Sequence, residues 1–599
     1  GLTAMPIDCK GKLLPVTCMN KLTALSARID GAEILLVDEV SFIDPVTYER
    51  LDVRLRQLRQ QPNLPFGGLL VVFFGDFHQL DPCFYGNLAS AVVDVLEDAP
   101  PAKNNHAEEI RTAANSFAKA EKHELTKQHR SSDPVHNQRL AQLRGATNNL
   151  SGSQGGKRPQ IDDELLDSME TLSATDFGSD QRALAALSSK ATKIEAMREG
   201  PQKQRETEAL CAETALVRKS LWMMAPIAVT NNRLRHEINR LQTEHYARVT
   251  GQPVFQWEHT LVQRVGDTLH SGGDENSAIL EELRREFSEL QGAFVPGAPG
   301  HLLANMNATK GLANGTPIIY HSLTFNECDR AAVDDKIREW EAAGGPAGAI
   351  VCVPPPLAIN VQVPSILASE QNEGERIGTA DCARVGNDGS VCLEKCIVIP
   401  VPFMHRCPGV GRNRHRQVKI PPTNPQVSKK KHILNYEAHP VTISFALTYH
   451  KMQGQTLEKI ILDLNKPAPG SGGLTLKHIY VGVSRIRAGA GLRILPYVDA
   501  HSSRQSLKTK RSSPKLEQYL NGFNGNGSTC SLGGRPGASR SSKRRANEHS
   551  EPDVSARQVN ACPIEEVDMG TFMDRFESTP TASHLGVRTS RKRKREEHG

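Results

Sequence analysis

The chain has 599 residues, 38% of them hydrophobic and 23% charged. That apolar fraction supports folded cores and excludes wholesale disorder, and no run nears the roughly 18 apolar residues that a bilayer span needs. Net charge is +6, but residues 501–599 hold 18 Lys/Arg against 11 Asp/Glu, which leaves −1 for the first 500 residues, so any nucleic-acid groove in the body must come from local clustering.

In chain order, Ile34-Leu35-Leu36-Val37 runs into Asp38-Glu39, and Leu69 to Phe74 runs into Gly75-Asp76. Continuous apolar runs of this length predict parallel strands covered on both faces. Between them Pro45 to Gln60 predicts a helix, with Asp44 as N-cap and Pro45 at its first position. Strand, helix and strand make a βαβ unit. Residues 104–145 read as mostly helical, and the Ser-, Gly- and Lys-rich stretch 146–204 as a flexible insertion. A helix is expected over about 205–222, a strand at Ala225–Val229, a helix at Asn231–Gln242, and a charged helix from Ser277 to Gln291. Short β-like runs alternate with Pro and Gly over 316–440, which predicts a small β-rich, barrel-like insertion. The α/β pattern returns over 441–500, with strands expected at Val441–Thr448, Lys459–Asp463, His478–Val483 and Leu492–Pro496. From 501 the composition predicts a disordered basic tail ending in Arg591-Lys592-Arg593-Lys594-Arg595.

No charged-then-apolar leader follows Gly1, so no secretory signal is expected. The twelve cysteines contain no CxxC pair. Cys392 and Cys396, with Cys382 and Cys407 nearby, are either a zinc site or reduced intracellular thiols.

Four segments carry chemistry. A carboxylate at the carboxyl end of a buried parallel strand faces the crevice where α/β sheets bind ligands. There Asp38 could hold Mg²⁺ through water and Glu39 could polarise an attacking water. The second strand end, about 37 residues on, places Gln79 three residues past Asp76, within reach of a γ-phosphate. Thr448 to Leu457 gathers His450, Lys451, Gln453, Gly454 and Gln455 at a loop-to-helix junction suited to phosphates or bases. A strand Ile479–Val483 would deliver Ser484 and Arg485 to a sheet edge, where an arginine can stabilise charge on a transferring phosphoryl group.

Taken together these blocks resemble motifs II, III, V and VI of superfamily-1 DNA helicases of the Pif type. VDEVSF (Val37–Phe42), GDFHQLDP (Gly75–Pro82), ALTYHKMQGQTL (Ala446–Leu457) and YVGVSRIRAGAGLRIL (Tyr480–Leu495) carry the likeness. LTKQHRSSD (Leu125–Asp133) resembles motif IV, APIAVTNNRLRHEIN (Ala225–Asn239) the start of the second core domain, and Lys310 to Thr316 the family's KGLVNGT element. The resemblance implies an α/β fold of two RecA-like parallel-sheet domains, the second holding the β-rich insertion. The first would be residues 1–145 and incomplete, and the second would be 205–315 and 441–500, around the insertion 316–440.

It further implies an ATP- and Mg²⁺-dependent enzyme that moves 5′-to-3′ on single-stranded DNA and unwinds duplex DNA in repair, recombination and telomere maintenance. Asp38 would bind Mg²⁺, Glu39 activate water, Gln79 report the γ-phosphate, and Arg130 and Arg485 clamp the triphosphate with Gln453 and Gly454. His78, Asn231, His450, Lys451 and Gln455 would face DNA, while Phe77 faces either DNA or the core. Nuclear residence would fit the basic terminus, and no membrane role is expected. The family's phosphate loop, GxxxxGK[ST], is absent: Ser151–Arg158 (SGSQGGKR) fails the pattern, and only 37 residues precede Asp38. The expectation is therefore an N-terminally truncated helicase. The alternative is an ATPase-dead DNA-binding relic of a Helitron-type transposon helicase.

Overall fold

The computed structural model describes residues 19–100, 105–125, 127–145, 160–261, 281, 283–368, 377–385, 391–404, 416–420, 432–467 and 473–522. These fall into two compact units, one built from residues up to 127 together with those from 512 onward, the other from 128–511.

In the first unit, strands β1 (Ile34–Val37) and β2 (Leu70–Phe73) pair in parallel, Ile34 opposite Leu70 and Val37 opposite Phe73. After the opening helix α1 (Met19–Ala27), the helix α2 (Pro45–Leu58) crosses between them, as the sequence predicts. Its start is fixed by Asp44, whose carboxylate accepts the Thr47 N–H over 2.8 Å, and by Pro45, whose missing N–H costs nothing there. Helices α3 (Leu88–Leu96) and α4 (Ala107–Phe117) complete the layer, α3 being capped by Asn87. Tyr48, Leu55, Phe66, Leu88, Val92 and Phe117 form the core. Phe77 joins it, with ring contacts to Phe117 and Tyr519, so the core alternative holds for that residue.

Two expectations fail in this unit. The β1–β2 pair is not covered on both faces among the described residues: Leu36 is 65% exposed, and Ile34 and Leu70 lie open on the same side. The residue pattern of the strands suits two-sided burial, but only one helical layer packs on them. The second failure is at the far end of the chain. Two helices stand where disorder was expected, Pro514–Asn521 in this unit and Ala500–Lys508 in the second. Leu516 and Tyr519 fall three residues apart on one face and are buried in the first unit's core. The polar composition around them masked this short apolar stripe. Residues 523–599, with the basic terminus, lie outside the described residues.

The second unit centres on a four-stranded parallel sheet, in the order Ala446–Thr448, Ile227–Val229, Ile460–Leu462, Leu492–Ile494. The helix α5 (Pro134–Arg144) belongs to this unit, so the expected first-domain boundary at 145 moves to 127. The described part of the expected flexible insertion is helical: α6 (Asp163–Asp167), α7 (Ala174–Glu195) and α8 (Pro201–Ser220). The capping box at Ser173 and Asp176 starts α7, a local signal that the Ser-rich composition obscured. The buried carboxylate of Asp180 then accepts the N–H groups of Trp222 and Met223, docking α7 to the chain that enters the sheet. Helix α9 (Asn232–Thr250) follows the strand Ile227–Val229 and runs eight residues beyond the predicted end.

The β-rich part is a six-stranded antiparallel sheet, running from Gly378–Val385 at one edge to Val441–Ile443 at the other, with separate two- and three-stranded sheets. Its strands begin at Val254, ahead of the expected 316, and a helix Glu327–Ala342 interrupts them. Of the charged helix expected from Ser277 to Gln291, residues 277–280 and 282 lie outside the described residues, 283–286 are helical, and the short turn Ser288–Leu290 then leads into the strand Gln291–Phe294. No helix among the described residues is long and apolar enough to cross a membrane.

Candidate functional site

In the first unit the parallel register places Asp38 and Phe74 one step beyond the paired ends Val37 and Phe73. The Phe74 N–H donates to the Val37 carbonyl over 2.8 Å, and the Val40 N–H donates to the Phe74 carbonyl over 2.7 Å. Between these bonds the chain turns sharply, and Glu39 takes a left-handed conformation with φ 55. A non-glycine residue there is strained, and such strain gathers at functional sites. Gly75 has φ +151, and a Cβ on it would lie 2.7 Å from the Val40 nitrogen. The two strand-end turns are thus packed backbone to backbone, and only glycine fits at 75.

The groups brought together are carboxylates and an amide. Asp38 is exposed, with Oδ1 accepting the Glu39 N–H over 2.8 Å. Asp76 accepts the His78 N–H over 3.0 Å and, through its carbonyl, the Gln79 N–H over 2.9 Å. His78 and Gln79 are therefore held on a tight turn beside the acidic strand end. A hard oxygen donor of this kind fits Mg²⁺, which takes one or two carboxylates and fills its octahedron with water and substrate phosphate. No group of three or more His, Cys, Asp or Glu among the described residues forms a protein cage for a metal ion. Asp38 would thus act as a partial ligand. Of the zinc candidates, Cys396 is buried in the strand Val391–Pro402, Cys407 lies outside the described residues, and the side chains of Cys382 and Cys392 are not described.

The second unit assembles the other candidates. Arg130, expected in the first domain, lies in this unit and donates from Nη1 to the Ser484 carbonyl over 2.8 Å. Arg485 is 1% exposed, not presented at a sheet edge. The segment before it, expected as a strand, is the helix Leu476–Val483. The Arg485 guanidinium donates to the Val481 carbonyl at 3.0 Å, to Ser484 Oγ at 2.8 Å and to the Gln455 carbonyl at 3.4 Å. Its own carbonyl accepts the Leu457 N–H over 2.8 Å. Arg485 thereby clamps the 453–457 turn to the end of the helix. In that turn Gly454 has φ +80, Gln453 is buried, and Gln455 Nε2 donates to the Lys451 carbonyl over 2.8 Å.

Lys451 sits in the preceding turn Tyr449–Met452, and burial, with Arg235 and Arg416 nearby, lowers its ammonium to about 8. The His450 ring lies 6.0 Å from that of His478. Asn231 caps α9, its side chain accepting the Leu234 N–H over 2.9 Å, a structural duty beside the expected DNA contact.

Residue reasoning missed Asp133 as a joint. Its carboxylate caps α5 and also accepts the Gly489 N–H over 2.8 Å, and these backbone donors hold it below the usual carboxylate range. The Asp-Pro pair at 133–134 is an N-cap signal, but nothing in the sequence points it at position 489. Arg493 was also missed: it bonds Glu170 at 2.8 Å and lies 4.5 Å from the Trp222 ring centroid.

Residues 4–131 match the family described as PIF1-like helicase. Over 50 residues, 8% of this chain, it is 46% identical to the ATP-dependent DNA helicase PIF5 of Trypanosoma brucei brucei and 44% identical to PIF6 of the same organism. The chain's match spans 5% of the first relative's length and 6% of the second's. Among solved structures it is similar to the Pif1 helicase from Bacteroides in complex with ADP-AlF3 and ssDNA, with TM-score 0.43 and 16% identity, over 87% of this chain and 82% of that one.

Proposed function

We propose, with residues 4–131 matching the PIF1-like helicase family, that this chain is the body of an ATP-dependent DNA helicase. The observation that carries the reading is the joining of two strand ends, Asp38-Glu39 and Asp76 to Gln79, through the Val40–Phe74 backbone bond. In this reading Asp38 holds the Mg²⁺ of MgATP through its water shell. Glu39 takes the proton of the attacking water, and Gln79 hydrogen-bonds the γ-phosphate oxygen. Because the Gln79 turn is bonded to the Glu39 turn, loss of the γ-phosphate would move both together.

In the second unit Arg130 and Gln453 would meet the nucleotide, while Arg485 positions the turn that carries Gln453 and Gly454. His78, Asn231, His450, Lys451 and Gln455 would face single-stranded DNA. The finer properties proposed are 5′-to-3′ movement, duplex unwinding in repair, recombination and telomere maintenance, and nuclear residence through the basic run Arg591 to Arg595.

One sequence observation favours a second reading. GxxxxGK[ST] occurs nowhere in the 599 residues, so the phosphate grip would lie outside them. Without such a loop the chain would bind DNA and leave ATP intact, as a relic of a Helitron-type helicase. Sequencing the transcript upstream of the Gly1 codon separates the two. An in-frame GxxxxGK[ST] supports the helicase, and an in-frame stop without one supports the relic.

A further inference from the structure

We infer that the cavity between α9 and the β-sheets of the second unit is a binding site for a phosphate-class oxyanion. The site involves none of the motif II and III residues, and its existence does not depend on the helicase reading. The cavity measures about 120 Å³, and its walls include His236 on α9, Trp257 and His259 at the end of the strand Val254–Glu258, and Arg416.

Hydrogen-bonding capacity is the first argument. An indole N–H can only donate. Among the described residues that of Trp257 is buried without an acceptor, and Nδ1 of buried His259 is also without a partner. The indole occupies this position because residue 292 is glycine: a Cβ there would lie 2.3 Å from Trp257 Nε1. The fold thus makes room for a donor to which no described residue offers an acceptor.

Charge is the second argument. Arg416 lines the cavity. Arg235, on the same helix as His236, is buried, with Nε unpartnered and Nη2 2.8 Å from His236 Nε2. Lys451 lies within electrostatic reach of both arginines. Two carboxylates, Glu244 and Glu289, also line the walls, and Glu244 is already bound by Arg240 at 2.8 Å. Arg416 and its electrostatic neighbours Arg235 and Lys451 thus outnumber Glu289, the lining carboxylate that Arg240 does not hold. The effect is visible on each neighbour: Arg235 is lowered to about 10 by burial and by Arg416, His236 to about 3 by burial, Arg235 and Arg416, and His259 to about 3 by burial, Arg416 and His439. Both imidazoles therefore stay neutral at physiological pH and can supply single N–H donors.

Buried cations in excess of their counter-ions are costly, and an oxyanion with several acceptor oxygens offsets that cost. A phosphate group matches the set better than a carboxylate because it offers more acceptor positions and can carry more charge. The group could belong to a free phosphate or to a nucleic-acid backbone.

The test is calorimetric titration of the whole chain with inorganic phosphate, against chloride at matched ionic strength. Saturable phosphate binding is expected. It should weaken tenfold or more in Arg416→Gln and severalfold in Trp257→Phe, which keeps the ring and removes the donor. Competition by oligothymidylate would identify the backbone as the source, and saturation by phosphate without such competition a free anion. Absence of binding beyond the chloride control would overturn the site. So would equal affinity in wild type and Trp257→Phe, a variant expected to keep its fold where Arg416→Gln does not.

Discussion

The backbone N–H of Val40 is bonded to the carbonyl of Phe74 over 2.7 Å. The bond joins the turn after one parallel strand to the first residue beyond the next. Strained Glu39 lies immediately on one side of it and Gly75 on the other. A change in either turn must therefore be felt in the other.

Gly75→Ala tests that coupling. The added Cβ would meet the Val40 nitrogen at 2.7 Å and Val40 Cγ1 at 3.0 Å, on a backbone with φ +151. A strained residue of this kind costs about 1–3 kcal/mol. The expected outcome is a lower urea midpoint for the first unit, with faster hydrogen exchange at the Val40 amide. An unchanged exchange rate at Val40 would mean the turns are not coupled.

Arg485 should behave as a buried clamp. Replacing it with Met removes the donors to Val481, Ser484 and Gln455 and strands their acceptors. A loss of about 2–4 kcal/mol is expected in denaturant unfolding. Arg485→Lys should recover only part, because an ammonium cannot span the same fork. A silent Met variant would contradict this assignment.

Lys451 gives a pH signature. Its ammonium titrates near 8 in the folded chain, below the ordinary 10.5. Below pH 8 it is charged in both folded and unfolded states, and the burial penalty is fully present. As pH rises from 8 toward 10.5 the folded form sheds its proton first, so this group's contribution to stability increases over that window. DNA affinity should move the opposite way, falling between pH 7 and 9 as the cation is lost. Fluorescence anisotropy with oligothymidylate checks this, and Lys451→Arg should flatten the pH dependence. An equally steep profile in that variant would assign the effect elsewhere.

Much of this was legible because the signals were local. Asp44-Pro45 starts a helix wherever it stands, and the runs 34–37 and 70–73 paired as their apolar continuity required. The segment Ile479–Val483 was misread because five continuous apolar residues suit a buried helix as well as a buried strand. Thr475, whose hydroxyl accepts the His478 N–H at 3.4 Å, was the cap that could have decided it. Tertiary joints were not legible at all. The bond from Gly489 to Asp133 spans 356 positions, and Tyr519 enters the first unit's core from the far end of the chain.

Asp133 supplies a prediction of its own. Its low carboxylate value comes first from the Gly489 N–H and then from the capping amides. Asp133→Asn keeps an acceptor but loses the charge that strengthens both contacts. Amide exchange at Gly489 should quicken, most clearly above the carboxylate's unfolded value, where the wild-type charge is present in both states. Equal protection at Gly489 in both proteins would remove Asp133 from the joint.

The central claim is that Asp38-Glu39 and the Asp76–Gln79 turn form one ATP-hydrolysing end. Steady-state ATP hydrolysis by the full translation product of the transcript encoding these residues, with and without oligothymidylate, tests it most directly. The account predicts hydrolysis stimulated by single-stranded DNA and abolished by Glu39→Gln, with DNA binding retained. DNA binding with no hydrolysis, or hydrolysis indifferent to Glu39, would contradict it.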